Sequence, residues 1–345
     1  METQTQTQTT ERPGPPQAII MQMSMGAMVT QAIYVAAKLR IADIIADGEK
    51  HIDQISQEAD AHSPSLYRIM RTLSSSGVFN ETQHRMFANT PLSEVLRADI
   101  PGSMRNSMIF MGEPWHYNIW ANMLHSARTG GTAWKETHGE EVFDWIAKNP
   151  DASEIFNGCM SELSAGAAPA IVAGYDFSGI DTLADIAGGH GFLLSQILIA
   201  NPKIKGILFD MEYVIAGADK MLSSFGVENR VEKVSGDFFA EVPAADAYIM
   251  KHIIHDWDDE RSIRILKTIH RAMKDNGKLL LAEMVIPEGN EPHPGKLLDL
   301  EMLTSPGGIE RTADEYASLF ERAGFKLNRI VPTMSPFSVI EGIKA

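Results

Sequence analysis

T-L-A-D-I-A-G-G-H-G-F-L-L-S-Q-I-L-I-A-N-P-K-I-K-G-I-L-F-D, residues 182–210, decides the fold. The apolar run 183–187 is short enough for a buried strand. Gly188, Gly189 and Gly191 follow at once, then Phe192, Leu194, Ile197 and Leu198 at helical spacing. A second apolar run, 206–209, ends in the carboxylate Asp210. Glycine permits a tight turn and lets a ligand approach the backbone with no Cβ in the way. Asp210 stands where a strand end can bind a ribose diol.

The third glycine comes too early for a nicotinamide fingerprint. Asp185 lies inside the first strand, before the glycines, and suits a ligand with a cationic amino-acid end such as S-adenosylmethionine. The plainer alternative is a strand-to-helix turn that needs glycine for geometry alone.

Working outward, 345 residues are enough for two domains, and a hydrophobic fraction of 44% can fill their cores. The net charge of −15 repels phosphate backbones, so nucleic acid is not an expected partner. No uninterrupted apolar run reaches the ~20 residues of a membrane span, so no membrane partner is expected. The opening M-E-T-Q-T-Q-T-Q-T-T-E-R-P-G-P-P has no apolar core of a secretory signal and reads as a disordered tail, 1–16. Cys159 is the single cysteine, which excludes an intramolecular disulfide and a thiolate zinc site. A cytoplasmic enzyme is the expectation.

The chain from 17 to 39 is helical in pattern and carries Met21, Met23, Met25 and Met28, a stripe suited to adaptable packing. Short helices follow at 41–45 and around H-I-D-Q-I-S-Q-E-A-D, then one started by Ser63-Pro64. Strand candidates at 78–80 and 85–87 complete a winged-helix pattern over 17–105. A winged helix suggests DNA binding. The helix in the recognition position, 65–75, carries only Arg68 and Arg71, so dimerisation through the apolar first helix is the preferred role. Residues 106–175 read as connecting helices; their Trp115, His116, Trp120, Met123, Trp134, Phe143, Trp145 and Met160 are core or the lining of an apolar substrate pocket.

After Asp210, strand candidates at 230–234, 245–251, 277–285, 326–330 and 338–343 alternate with helices at 213–225, 258–273 and 312–323. That alternation predicts an α/β domain, 176–345, with a parallel sheet covered on both faces. The link 331–337 is too short for a crossover helix, so the last strand should run antiparallel. The pattern resembles the Rossmann-like seven-stranded methyltransferase sheet.

The motifs D-I-A-G-G-H-G, F-D, G-D-F-F, K-H-I-I-H-D-W-D-D, L-A-E-M-V-I-P and P-G-G-I-E-R-T-A-D-E-Y recur in order. With the winged-helix start, they make the chain resemble the small-molecule O-methyltransferases of the plant caffeate and bacterial polyketide type, from residue 17 to the C-terminus. Ala187 departs from the pattern, where the family usually has glycine. The resemblance implies a homodimer that uses S-adenosylmethionine. Gly188, Gly189 and Gly191 would line its methionine end, Asp185 its amino group, and Asp210 its ribose. Met211, Asp237, Phe238, Lys251 and Trp257 would form the adenine pocket; Phe238 and Trp257 also fit plain core packing.

A phenol with a pKa near ~10 needs a base during methyl transfer, and a histidine near ~6.5 is matched to that task. His255 follows a strand end, where open α/β sheets bind ligands; His252 is the rival. Glu283 and Glu310 match the family's two acidic partners of the base. Glu310 could instead cap the helix near Thr312, and Glu283 could serve another donor. Asp256 is a substrate contact or a helix cap. Met25, Trp120, Met123, Met160 and Met302 are further candidates to touch a small aromatic acceptor. No metal is expected, since the sequence shows no tight ligand cluster and Asp258-Asp259 read as a helix start. The alternatives are a same-fold enzyme performing N-methylation or hydroxylation, and a winged-helix regulator that senses the cofactor without catalysis.

Overall fold

The computed structural model describes residues 14–98 and 100–345. Most of the expected tail, 1–13, lies outside them. The chain divides into two compact units, 1–113 and 114–345.

In the first unit, the expected helix over 17–39 is two helices, Pro16–Ser24 and Gly26–Lys38, meeting at Met25. Helices Ile52–Glu58 and Ser63–Ser75 pack against a small sheet of β1 (Lys50–His51), β2 (Phe79–Gln83) and β3 (Met86–Asn89). The sheet order is β1-β3-β2, antiparallel throughout. Ile52, Ile55, Leu66, Met70, Leu73, Phe79 and Phe87 fill the core between them. Helix Arg105–Gly112 also belongs to this unit. It lies on helix Gly26–Lys38, where the Gln31 amide donates to the Gly112 carbonyl at 3.1 Å. Any Cβ on Gly112 would overlap the Tyr34 ring. Ile20, Met21, Met23, Met25 and Met28 are each at least 48% exposed. Residues 16–38 together are long and apolar enough to cross a membrane by length and composition. Only the length of the apolar stretch departs from the sequence expectation, since Gln22, Ser24, Thr30 and Gln31 interrupt it without making it polar on average.

In the second unit, helices including the long Pro150–Gly174 precede the sheet. Its strands are β4 (Thr182–Ile186), β5 (Lys205–Asp210), β6 (Val231–Ser235), β7 (Ala247–Lys251), β8 (Lys278–Glu283), β9 (Phe325–Pro332) and β10 (Ser338–Lys344). The order is β6-β5-β4-β7-β8-β10-β9, and β10 runs antiparallel to both neighbours. Strand alternation sends Leu183, Leu208, Ile249 and Leu280 to one face, against Leu194, Ile197 and Leu198 of helix Phe192–Ala200. Ala184, Ile186, Tyr248 and Leu281 face the other way, onto helices Asp259–Ala272 and Ala313–Ala323. The helix expected over 213–225 is broken at Gly217 into Glu212–Ile215 and Asp219–Ser224. Helix Pro294–Thr304 was not anticipated. Because β4, β5, β7 and β8 are parallel, their C-terminal ends share one edge.

Candidate active site

At that edge, the turn after β4 is built by backbone geometry. The Ala187 and Gly188 N–H groups donate to the Phe209 carbonyl of β5. A Cβ on Gly188 would sit 2.6 Å from the Asp185 carboxyl and from Leu208, so only glycine fits. Ala187 adopts φ +56°, a left-handed conformation that costs a non-glycine residue about 1–2 kcal/mol. Asp210 accepts from the Gly189 N–H at 2.8 Å through Oδ2 and from the Met211 N–H at 2.7 Å through Oδ1. Each oxygen keeps a second lone pair. Asp185 is 2% exposed, and its Oδ2 has no hydrogen-bond partner. Burial pushes its carboxyl up to about 7, against the nearby Lys251 ammonium, which pulls it down. Burial raises Asp210 as well and lowers Lys251.

The aromatic candidates cluster with one another. Trp257 lies 6.0 Å from Phe238 and 5.0 Å from Phe239, ring to ring, with Phe143 at 6.2 Å and the Arg261 guanidinium over its face. Its indole N–H is buried without a partner. Asp237 is exposed and accepts from the Phe239 N–H, while Met211 is 49% exposed.

His255 sits on the 3-10 turn Ile254–Asp256 after β7 and is 4% exposed. Its Nδ1 is 2.5 Å from Glu310 Oε1. Glu310 is buried, and burial with the neighbouring Asp299 charge pushes its carboxyl up to about 8. The contact is a short hydrogen bond between the imidazole and the carboxyl group. The capping alternative for Glu310 falls away, because Thr312 and Glu315 form the capping box of helix Ala313–Ala323. Glu283 Oε1 accepts from the backbone N–H groups of Ile253 and Ile254, so it orders the turn beneath the imidazole. Its carboxyl is raised by burial. Asp256 Oδ1 lies 3.4 Å from His255 Nε2, and burial pushes Asp256 up to about 7. The cap of helix Asp259–Ala272 is Asp258, which leaves Asp256 for the site.

Two residues inside the motifs had no assigned role. Arg311 is 1% exposed and donates to the carbonyls of Ile254, Trp257 and Ile309 and to the Asp259 carboxylate. Gly308 lies so close to the His255 carbonyl that a Cβ would overlap it. Together they clamp the turn that carries His255. The signal for both was their place beside Glu310.

The expected absence of a ligand cluster is corrected: one ligand-type atom each of His252, His255 and Glu283 lies within 4.8 Å of the others. The two imidazoles are stacked, with centroids 4.3 Å apart and planes at 15°. An imidazole binds a metal in its own plane, and one ion cannot lie in two stacked planes, so this is not metal-ligand geometry.

Of the acceptor candidates, Trp120 packs in an aromatic cluster with Trp115, Trp145 and the fully buried Trp134. Met302 is buried on helix Pro294–Thr304, which also carries Asp299. That helix is tied to His116 by Glu301 at 2.6 Å. Met123 and Met160 are half-buried, and Met25 belongs to the first unit. A separate cavity of about 480 Å³, lined by Val285, Pro287, Glu288, Thr312 and Asp314, contains none of these side chains.

The polar groups at the C-terminal ends of the strands fit S-adenosylmethionine. Asp185 Oδ2 is a buried acceptor for an ammonium, Asp210 has lone pairs for a diol, and the Trp257 N–H is a donor beside aromatic faces.

Comparison with known proteins agrees. An O-methyltransferase domain model matches residues 120–326, and an O-methyltransferase dimerisation domain model matches 21–99. The chain is 47% identical over 328 residues to the phenazine O-methyltransferase PhzM of Lysobacter antibioticus, covering 95% of this chain and 96% of the relative. The crystal structure of LaPhzM superposes with a TM-score of 0.92 at 46% identity, over 96% of this chain and 100% of that one. An O-methyltransferase from neocarzinostatin biosynthesis, solved with S-adenosylmethionine and 2-hydroxy-5-methyl naphthoic acid, gives 0.80 at 30% identity, over 92% and 96%. An 8-amino-8-demethylriboflavin N,N-dimethyltransferase of Streptomyces davaonensis is 33% identical, over 93% of each chain. The dimerisation domain match supports a homodimer. The chain belongs to the S-adenosylmethionine-dependent small-molecule O-methyltransferases of secondary metabolism.

Proposed function

We propose that this enzyme methylates a phenolic hydroxyl of a small aromatic molecule, with His255 as the general base. The observation that carries the reading is the 2.5 Å contact between His255 Nδ1 and the buried Glu310. With the proton of that hydrogen bond on Nδ1, Nε2 presents a lone pair at the strand edge where ligands of open α/β sheets bind. Bound S-adenosylmethionine supplies an electrophilic methyl group and keeps the sulfur electron pair when the O–CH₃ bond forms. The acceptor hydroxyl gives its proton to His255 Nε2, and Glu310 stabilises the imidazolium from the other side. Glu283 acts through the backbone of 253–254, which it holds in place. Asp256 is a contact for the acceptor.

On the cofactor side, Gly188, Gly189 and Gly191 make room at the methionine end. Asp185 and Lys251 set the charge there; Asp210 takes the ribose. Met211, Asp237, Phe238 and Trp257 enclose the adenine. Residues 17–105 serve dimerisation, 106–175 shape the acceptor pocket and 176–345 hold the cofactor. Trp120, Met123, Met160, Met302 and Met25 are proposed acceptor contacts. With a net charge of −15, the enzyme is proposed to work in the cytoplasm without nucleic acid or membrane.

N-methylation is the second reading, favoured by the dimethyltransferase relative. An aromatic amine attacks through its own lone pair and has less need of a poised base, so the His255–Glu310 pair speaks for oxygen. The test is methyl transfer from labelled S-adenosylmethionine to matched phenols, hydroxylated heteroaromatics and aromatic amines. Transfer to hydroxyl acceptors is expected, rising with phenol acidity until deprotonation no longer limits the rate. Transfer to amines alone would overturn the reading.

A further inference from the structure

His252 is placed at a cost that ordinary packing does not explain. It follows β7 at φ +54°, a left-handed conformation that non-glycine residues seldom adopt. Its ring lies against two others: His255, stacked at 4.3 Å and 15°, and Phe337, tilted at 4.4 Å and 46°. Its Nε2 is buried with no hydrogen-bond partner. A positive charge on this ring would leave that N–H unpaired inside the protein, so His252 stays neutral. Burial, with the nearby His255 and Lys251, pushes it in the same direction, well below the usual histidine range. Stacked rings cannot hydrogen-bond in plane, which excludes His252 as a relay for the proton on His255. What a neutral ring can offer is its π face, and a π face attracts a cation. Strained left-handed residues concentrate where function requires them.

We propose that His252 is a positioning residue for the reaction, fixing the ring plane of His255 and stabilising the imidazolium that forms there. This rests on the reading of His255 as the base. The other groups around that ring are Lys251 from β7, Asp256 from its own turn and Glu283 from β8. Glu310 and Arg311 come from the segment before helix Ala313–Ala323, with Asp299 of helix Pro294–Thr304 and the Tyr316 hydroxyl behind them. Of these, His252 alone is stacked on the His255 face.

The experiment compares His252→Phe with His252→Leu in the full-length enzyme, beside wild type and His255→Ala. Both substitutions meet the same backbone strain and exclude water; only phenylalanine keeps a π face. His252→Leu should lower kcat about tenfold, leave cofactor Kd within about twofold, and move the acid limb of the kcat–pH profile to lower pH. His252→Phe should keep most of the activity and the wild-type limb. Should the bulky variants unfold at assay temperature, His252→Asn, which tolerates the left-handed backbone, should show the leucine-type loss. Equal behaviour of Phe and Leu, whether both active or both impaired, would overturn the role of the π face. A fully active His255→Ala would instead remove the base reading on which it rests.

Discussion

The two ends of the site are built in opposite ways. At the cofactor end, the glycine turn and both carboxylates come from 26 consecutive residues, Asp185 to Asp210, and the key contacts are backbone N–H groups donating to a carboxylate. At the base end, the pieces come from β7, β8, helix Pro294–Thr304 and the segment before helix Ala313–Ala323. There buried side chains meet partners far away in sequence, His255 and Glu310 being 55 residues apart. A local backbone site tolerates change around it. A site assembled from four segments depends on each of them. Mutations at the two ends should therefore separate binding from turnover.

The largest effect should come from the clamp. Arg311→Met removes a buried guanidinium's bonds to three carbonyls, of which those of Ile254 and Trp257 keep the Ser262 hydroxyl, and to the Asp259 carboxylate; a loss of about 3 kcal/mol of folding stability is expected in chemical denaturation. A loss under about 1 kcal/mol would show that the turn stands without it.

Next comes the division of labour. Asp210→Ala should raise cofactor Kd by about ten- to a hundredfold with kcat at saturation nearly kept, since hydrogen bonds to a charged group are worth about 1.5–3 kcal/mol. Glu310→Gln should do the reverse, lowering kcat about tenfold or more with Kd unchanged. If both variants lose both quantities alike, the contrast between the two ends is wrong.

A smaller effect concerns pH. Asp185 titrates near 7 in the folded protein and near ~4 when unfolded, so the folded state holds the extra proton between those values. Its contribution to stability is then full at low pH and falls as pH rises from about 4 to about 7. Asp185→Asn cannot titrate, and thermal melts of the ligand-free enzyme should show a shallower fall over that window. Asp256 and Glu310, raised for the same reason, keep some of the slope. An unchanged slope would show that Asp185 is not the protonated group.

The smallest effect is at Ala187. Ala187→Gly relieves the left-handed strain at the cost of a more flexible unfolded chain, and the net should be a gain of at most about 1 kcal/mol. A clear loss would mean that the methyl group is packed and the strain is needed.

The same contrast governs how much could be read from sequence. The β4–turn–helix–β5 unit was legible because its signals, glycines between two apolar runs and a carboxylate at each strand, are local. The reversed β10 was legible because a five-residue link, 333–337, cannot hold a crossover. Which acidic residue meets the imidazole was not: Glu283 and Glu310 look equivalent in their motifs, yet only Glu310 is bonded to the ring. The His252 stack and the Arg311 clamp depend on backbone dihedrals and on a long-range approach, which no residue pattern encodes. Helix Pro294–Thr304 escaped notice because Leu297, Leu300 and Leu303 face outward, blurring the apolar period that would have marked it.

The most direct test of the central claim is kcat and cofactor Kd measured together for His255→Ala, with a phenolic acceptor at saturation. The account predicts a fall in kcat of about 10² to 10⁴ with Kd unchanged. Turnover within a few-fold of wild type, in a folded protein that binds the cofactor normally, would contradict it.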